Sequence, residues 1–292
     1  MSKVTTRTAS GDDFPTVARL IIEQNQKPER QCIHSGDRYE NTLQTMISYT
    51  EAAEFCLALA EQAGEIVGIF GCEYDETMGR GWLWGPFFLI EPEAAWQNAL
   101  NQALLNLLPA SVRRIDSFLS GANRQGQEFY VERGFDQAGM NHVYTAKTAP
   151  DIDADTRLGV LFETSYTEAV IRLHETAFPN TYERGAGMLD KIDDNHQVFV
   201  YAIERDVLGY VYATINDDGA AGYIDFLAVR EDARGRGIGR ALLLTALKWC
   251  FTTKGMPEVS LTVRDENATA RSLYERVGFR LQYVGVNHRK VW

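Results

Sequence analysis

The residue types best suited to chemistry gather in one segment, Tyr223-Ile-Asp-Phe-Leu-Ala-Val-Arg-Glu-Asp-Ala-Arg-Gly-Arg-Gly-Ile-Gly-Arg240. Tyr223–Val229 reads as a strand, and the apolar residues Ala241, Leu242, Leu243, Leu244, Ala246 and Leu247 read as a helix. Between them, Gly235, Gly237 and Gly239 form a turn that opens the helix. Missing side chains let backbone N–H groups approach a ligand closely. The positive end of a helix favours phosphate. Arg230, Arg234, Arg236 and Arg240 place four positive charges within eleven residues of a chain whose net charge is −11. The combination points to a polyanionic ligand. A dinucleotide fingerprint fails because Arg240 stands where a third glycine is needed, and a phosphate-loop NTPase fails for want of Gly-Lys-Ser/Thr.

A second cluster follows, Asn267-Ala-Thr-Ala-Arg-Ser-Leu-Tyr-Glu-Arg-Val-Gly-Phe279. Its phenol, Tyr274, has a reference pKa near ~10 and can give a proton to a strongly basic leaving group. Strand alternation predicts that Tyr223, Asp225, Leu227 and Val229 share one face of their strand. Asp225 there could take a proton through water, bind an ammonium group, or pair with an arginine.

The elements that must position these residues occur twice. Asn123, Tyr130, Gly134 and Phe135 match Asn267, Tyr274, Gly278 and Phe279, each pair 144 positions apart. Asn141-His142 echoes Asn287-His288. The polar stretch 145–156, with Pro150, reads as the linker. The spacing predicts two domains, 1–148 and 149–292. In the second, it predicts a strand over 157–162, a helix over 167–178, a hairpin of 196–204 with 207–215, and a strand over 223–229. The helix after the glycine turn, a strand over 258–263, a helix over 268–277 and a strand over 280–286 complete it. The first half has a similar order: a hairpin over 54–74, a strand over 82–90, a helix over 93–108, a strand over 112–119, then a helix and a strand. This is a mixed α/β fold class.

The glycine turn resembles the acetyl-CoA signature of the GCN5-related N-acetyltransferase (GNAT) family, Arg/Gln-x-x-Gly-x-Gly/Ala, matched by Arg234-Gly-Arg-Gly237-Ile-Gly239. The family's next motif is matched by Asn267-x-x-Ala270-x-x-Leu273-Tyr274 and Gly278-Phe279. The resemblance is strong over about 157–292 and extends to the first half through the element order and the second motif. It implies two tandem GNAT-like domains, each a mostly antiparallel sheet with a splayed strand pair and flanking helices. It further implies that amides from Arg234 through Gly235, Arg236, Gly237 and Ile238 to Gly239 hold the CoA pyrophosphate, with Arg240 close by. Arg234 and Arg236 would face phosphates, and the strand through Leu227, Ala228 and Val229 would pair with the pantetheine. One of those N–H groups would polarise the thioester. Asn267 would touch the pantetheine arm, and Tyr274 would protonate the departing thiolate. Asp225, with Tyr223 beside it, would then point towards the acceptor. His288 either lines the same cleft or is packed.

In the first half the corresponding strand is followed by Glu91-Pro-Glu-Ala-Ala-Trp-Gln-Asn-Ala-Leu-Asn-Gln102, with neither Gly nor Arg. Carboxylates stand where phosphate would bind, so one CoA site is expected per chain. Trp82, Trp84, Phe87, Phe88 and Trp96 are expected in the core. The expected activity is N-acetyl transfer from acetyl-CoA, as cosubstrate and without a metal, to a small-molecule or peptide amine. The rivals are a non-catalytic acyl-CoA-binding module, and an acyltransferase using another acyl group or a hydroxyl acceptor. The acidic charge disfavours nucleic acid and anionic membrane. Cys32, Cys56, Cys72 and Cys250 have no metal or redox spacing, so reduced thiols in the cytoplasm are expected.

Overall fold

A computed structural model describes residues 3–152, 156–179, 181–216 and 219–292. In chain order the elements are β1 (Thr5–Thr8), α1 (Phe14–Asn25), α2 (Tyr39–Glu51), β2 (Phe55–Gln62), β3 (Glu65–Asp75), β4 (Arg80–Phe88), α3 (Ala94–Leu105), β5 (Arg114–Ser120), α4 (Arg124–Glu132) and β6 (Asp136–Ala146). Then come β7 (Val160–Leu161), α5 (Thr167–Ala177), α6 (Gly185–Asp190), β8 (His196–Ile203), β9 (Asp206–Ile215), β10 (Gly222–Val229), α7 (Ile238–Lys248), β11 (Val259–Arg264), α8 (Ala268–Val277) and β12 (Arg280–Val291).

The chain forms two compact units, 1–141 with 283–292, and 142–282. The expected cut at 148/149 therefore misses an exchange of strands. Residues 283–292 of β12 complete the first unit, where Gly285–Val291 pairs antiparallel with Arg114–Ser120 of β5. Residues 142–146 of β6 belong to the second unit, where Thr145 Oγ1 meets Ser260 Oγ of β11 at 2.8 Å. The linker expected from residue 145 accordingly begins only after Ala146, and residues 153–155 of that stretch lie outside the described residues. The strand expected over 157–162 is reduced to Val160–Leu161.

In the second unit the strand order is β6-β11-β10-β9-β8-β7. The β8–β9 hairpin turns at Glu204-Arg205, with Glu204 at φ 57°. The sheet buries Val211, Ala213, Leu208 and Ile224 against α7 and α8, and Tyr210, Tyr212, Val198 and Phe226 with Val170 of α5 and Met188 of α6. β10 and β11 run parallel and pair only over Gly222–Ile224 and Val259–Leu261, then splay. On its other edge β10 stays paired with β9 as far as Val229.

The first unit has the order β1-β2-β3-β4-β5-β12. Its parallel pair β4–β5 is joined over Arg80–Trp82 and Arg114–Asp116 and then parts in the same way. Trp84, Phe87, Phe88 and Trp96 are in the core as expected, while Trp82 is half-buried. Among the described residues no helix is long and apolar enough to cross a membrane.

Candidate functional site

The glycine turn of the second unit has the backbone that its sequence demands. Gly235 and Gly237 sit at φ 75° and 77°, the left-handed region where a side chain is strained. Gly239 is constrained differently: a Cβ there would lie 3.2 Å from Leu273 and 3.7 Å from Val229. That close approach brings the start of α7, the middle of α8 and the end of β10 together. Gly237 is the N-cap of α7 and no side chain caps the helix. The first intrahelical bond runs from Ala241 N–H to Gly237 O at 3.0 Å. The amides of Ile238, Gly239 and Arg240 therefore precede the helical ladder and suit an anion. Ile238 offers only its amide, because its side chain is buried.

Arg234, Arg236 and Arg240 are exposed around this turn. Arg230 is not part of the set. Its guanidinium is bound by Asp206 (2.6 and 3.0 Å) and by Asp232 (2.6 and 3.0 Å), which neutralise the charge the sequence assigned to phosphate.

The open edge of β10 can be assigned from one bond. Arg230 donates its N–H to Leu208 O of β9 at 2.8 Å. Alternation then turns the peptide groups of Leu227 and Val229 away from β9, into the gap left by β11, where Val229 O accepts a hydrogen bond from Arg234 Nε at 3.3 Å. Ala228 differs from the other two, since its carbonyl faces Gly209 of β9.

Sequence alternation fails at Asp225. The β9–β10 register shifts between Ile224 and Phe226, leaving Asp225 as an extra residue. Tyr223 and Asp225 therefore lie on the α5/α6 face, whereas Leu227 and Val229 pack towards α7 and α8. The four residues expected on one face are split between two. Asp225 accepts hydrogen bonds from Tyr182 Oη at 2.7 Å and Thr214 Oγ1 at 2.8 Å. Burial pushes its pKa above the usual carboxylate value, with the two hydroxyls opposing. Among the described residues no arginine or lysine pairs with it. Tyr182 stacks on Phe226 with ring centroids 5.2 Å apart, a role no sequence motif signalled. Tyr223 Oη donates to Thr262 Oγ1 of β11 at 2.7 Å.

The repeated Asn and Tyr allow a direct comparison of the two clefts. Asn267 and Asn123 are both N-caps, accepting from Ala270 N–H (3.1 Å) and Gly126 N–H (2.9 Å). In the first unit the remaining polar groups are satisfied by the chain itself. Asn123 Nδ2 donates to Gln31 O at 3.2 Å, and Tyr130 Oη donates to Gly85 O at 2.5 Å. Gln31-Cys32 lies in the wedge between β4 and β5: Ser120 N–H reaches Gln31 O, Cys32 bridges to Leu119, and Cys32 Sγ contacts Leu83 O. In the second unit neither Asn267 Nδ2 nor Tyr274 Oη has a hydrogen-bond partner among the described residues. Tyr274 is 9 % exposed, and burial pushes its pKa up to about 12.

His288 does not line this cleft. It belongs to the first unit, is 1 % exposed, stacks on Tyr130 at 5.4 Å and lies 3.4 Å from Ser117 Oγ through Nδ1. In the second unit its repeat counterpart His142 is bonded to Asp265 at 2.7 Å.

Comparison with known proteins accords with this geometry. Residues 167–279 match the acetyltransferase (GNAT) family. An uncharacterized N-acetyltransferase of Methanocaldococcus jannaschii is 31 % identical over 119 residues, 41 % of this chain and 65 % of that protein. A mycothiol acetyltransferase of Beutenbergia cavernae is 31 % identical over 169 residues, 54 % and 57 % of the two chains. The matched part thus spans less than two thirds of either relative. A GCN5-related N-acetyltransferase from Sphaerobacter thermophilus superposes with a TM-score of 0.70 at 20 % identity, covering 99 % of this chain and 95 % of that one. A tandem GNAT protein from the clavulanic acid biosynthesis pathway gives 0.63 at 11 %, covering 99 % and 98 %. Residues 167–279 are thus similar to the GNAT acetyltransferase family, and the chain has the fold of tandem GNAT proteins.

Proposed function

We propose that this protein is an acetyl-CoA-dependent N-acetyltransferase with one catalytic cleft, in the second unit, acting on an amine through a ternary complex. The observation that carries the reading is the contrast between paired residues. Asn123 and Tyr130 spend their polar groups on their own chain, whereas Asn267 Nδ2 and Tyr274 Oη, at the same repeat positions, are left for a ligand.

The residues fit acetyl-CoA as cosubstrate. Amides around Gly235–Arg240 would take the pyrophosphate, with Arg234 and Arg236 on phosphates. The open peptide edge of Leu227 and the N–H of Val229 would pair with the pantetheine, Val229 O being taken by Arg234 Nε at 3.3 Å, and one N–H would draw charge from the thioester carbonyl. Asp225 would accept a proton, directly or through water, from an acceptor ammonium. The freed amine would attack the thioester carbon, forming C–N as C–S breaks. Tyr274, its phenol kept protonated by burial, would donate to the departing sulfur. The overall balance is amine cation plus acetyl thioester giving amide, free thiol and one proton. The four cysteines are free, which suits the cytoplasm.

Calorimetry with acetyl-CoA should give one site per chain, and free CoA thiol should appear only with an amine present. Two equivalent sites, or thiol release indifferent to amine, would remove the basis of this reading.

A further inference from the structure

The loop that brings Tyr182 to Asp225 is anchored from beneath. His174, in the last turn of α5, is 0 % exposed. Its Nε2 lies 3.0 Å from the carbonyl of Glu183, the residue after Tyr182, and its Nδ1 lies 2.6 Å from Tyr210 Oη of β9. A carbonyl only accepts, so Nε2 carries the proton and donates to Glu183 O. Burial raises the Tyr210 phenol well above its usual value, so Tyr210 keeps its proton and donates to Nδ1. Both ring nitrogens are thereby used, which fixes the tautomer and the ring orientation together. The same ring meets Phe226 edge-on at 4.8 Å, and Tyr182 stacks on Phe226. His174 thus holds the loop backbone directly and, through Phe226, the surface on which the Tyr182 ring rests. Tyr182 itself is 52 % exposed, so its own packing does not settle where its hydroxyl points. The ion pairs on the outside of the loop, Arg184 with Glu175 and Lys191 with Glu183, are exposed and weak. Asp225 receives Tyr182 on one oxygen and Thr214 on the other, and both hydroxyls favour its ionised form against the effect of burial. The other titratable groups facing it are Glu183 from the loop, Tyr212 of β9 and His196 of β8.

We infer that His174 is a positioning residue for the acceptor step, its Nε2–H on Glu183 O setting the loop so that Tyr182 Oη stays on Asp225. This rests on the acetyl-transfer reading and goes beyond it by assigning the anchor of the proton acceptor. His174 touches neither substrate. It acts through two residues, and its effect is read at Asp225.

Asparagine and glutamine separate the two ring nitrogens. His174→Asn carries its amide nitrogen as many bonds from Cβ as Nδ1, so it still reaches Tyr210 and leaves Glu183 O without this donor. His174→Gln carries its amide nitrogen as far out as Nε2 and keeps the bond. Taking the Tyr182 hydroxyl from Asp225 favours the protonated carboxyl. His174→Asn should therefore move the acid limb of kcat/KM against pH upward by about one unit, about a tenfold loss on that side. KM for acetyl-CoA should stay within about twofold, because the glycine turn is remote from this loop. His174→Gln should keep the wild-type limb. Added to Tyr182→Phe, His174→Asn should produce no further shift. Tyr210→Phe, which removes only the buried hydroxyl, should lower stability to urea without moving the limb. A limb unmoved by His174→Asn, moved equally by His174→Gln or Tyr210→Phe, or moved again on top of Tyr182→Phe would overturn the inference. Should His174→Asn not fold, His174→Gln decides: a raised limb overturns the inference and an unmoved one upholds it. Carbon-13 titration of the Asp225 carboxyl gives a readout independent of turnover. A midpoint raised by His174→Asn but not by His174→Gln, in a protein that releases no thiol, would uphold the positioning and overturn acetyl transfer instead. A midpoint unmoved by His174→Asn would overturn the positioning, whatever the turnover.

Discussion

Two tyrosines at matching repeat positions should respond to the same substitution in opposite ways. Tyr130 is fully buried and donates to Gly85 O at 2.5 Å. Tyr130→Phe leaves that carbonyl without its partner and should cost about 1–3 kcal/mol of stability in the first unit. Acetyl transfer should be unchanged. Tyr274→Phe removes no hydrogen bond made within the described residues, so its stability cost should stay within about 0.5 kcal/mol. Loss of the proton donor should lower turnover by about 10²–10⁴, with acetyl-CoA affinity nearly constant. With Tyr274 raised to about 12, the phenol stays protonated at neutral pH, so the loss should persist across the ordinary assay range. Urea unfolding measures the first pair of effects, and single-turnover thiol release measures the second. Tyr274 is not the acid if Tyr130→Phe slows transfer as much as Tyr274→Phe, or if neither slows it.

Replacing Arg234 and Arg236 together by Ala should weaken acetyl-CoA binding about tenfold or more by calorimetry, whereas Arg230→Ala, already neutralised by Asp206 and Asp232, should leave it within about twofold. Burial lowers His288 from 6.5 to about 4, so between these values the unfolded chain binds the extra proton and stability falls as the pH drops. Taking the pH from 7 to 5 should therefore cost the first unit about 2 kcal/mol through this group, a loss absent from His288→Asn in urea titrations at the two pH values. A fragment spanning 142–282 should give a cooperative unfolding transition by circular dichroism. One spanning 149–292 should not, because it lacks Tyr144, which donates to Glu275 at 2.8 Å, and Thr145, which meets Ser260.

Much of this architecture was legible in the sequence, because helices, caps and hairpins follow local rules. Asn267 and Gly278 bracket α8 as N-cap and C-cap, and the glycine turn required positive φ at Gly235 and Gly237. What could not be read depends on contacts distant in the chain. The face reversal at Asp225 comes from a bulge set by β9, and simple alternation has no term for it. Arg230 looked like a phosphate ligand until Asp206, 24 residues away, took its charge. The filling of the first cleft by Gln31-Cys32 has no motif at all. Asn123 and Tyr130 persist in the repeat, yet the structure uses them to secure that segment.

The exchange of strands also fixes an order of completion during synthesis. The first unit needs residues 283–292, which leave the ribosome after the whole of 142–282. Its β5 edge must therefore wait, with Arg114–Ser120 lacking the partner strand it will have in the finished protein. The second unit has all its parts once residue 282 has emerged. The half that begins first is thus finished last, and a premature stop near residue 283 would injure the N-terminal unit while sparing the one that contains Tyr274.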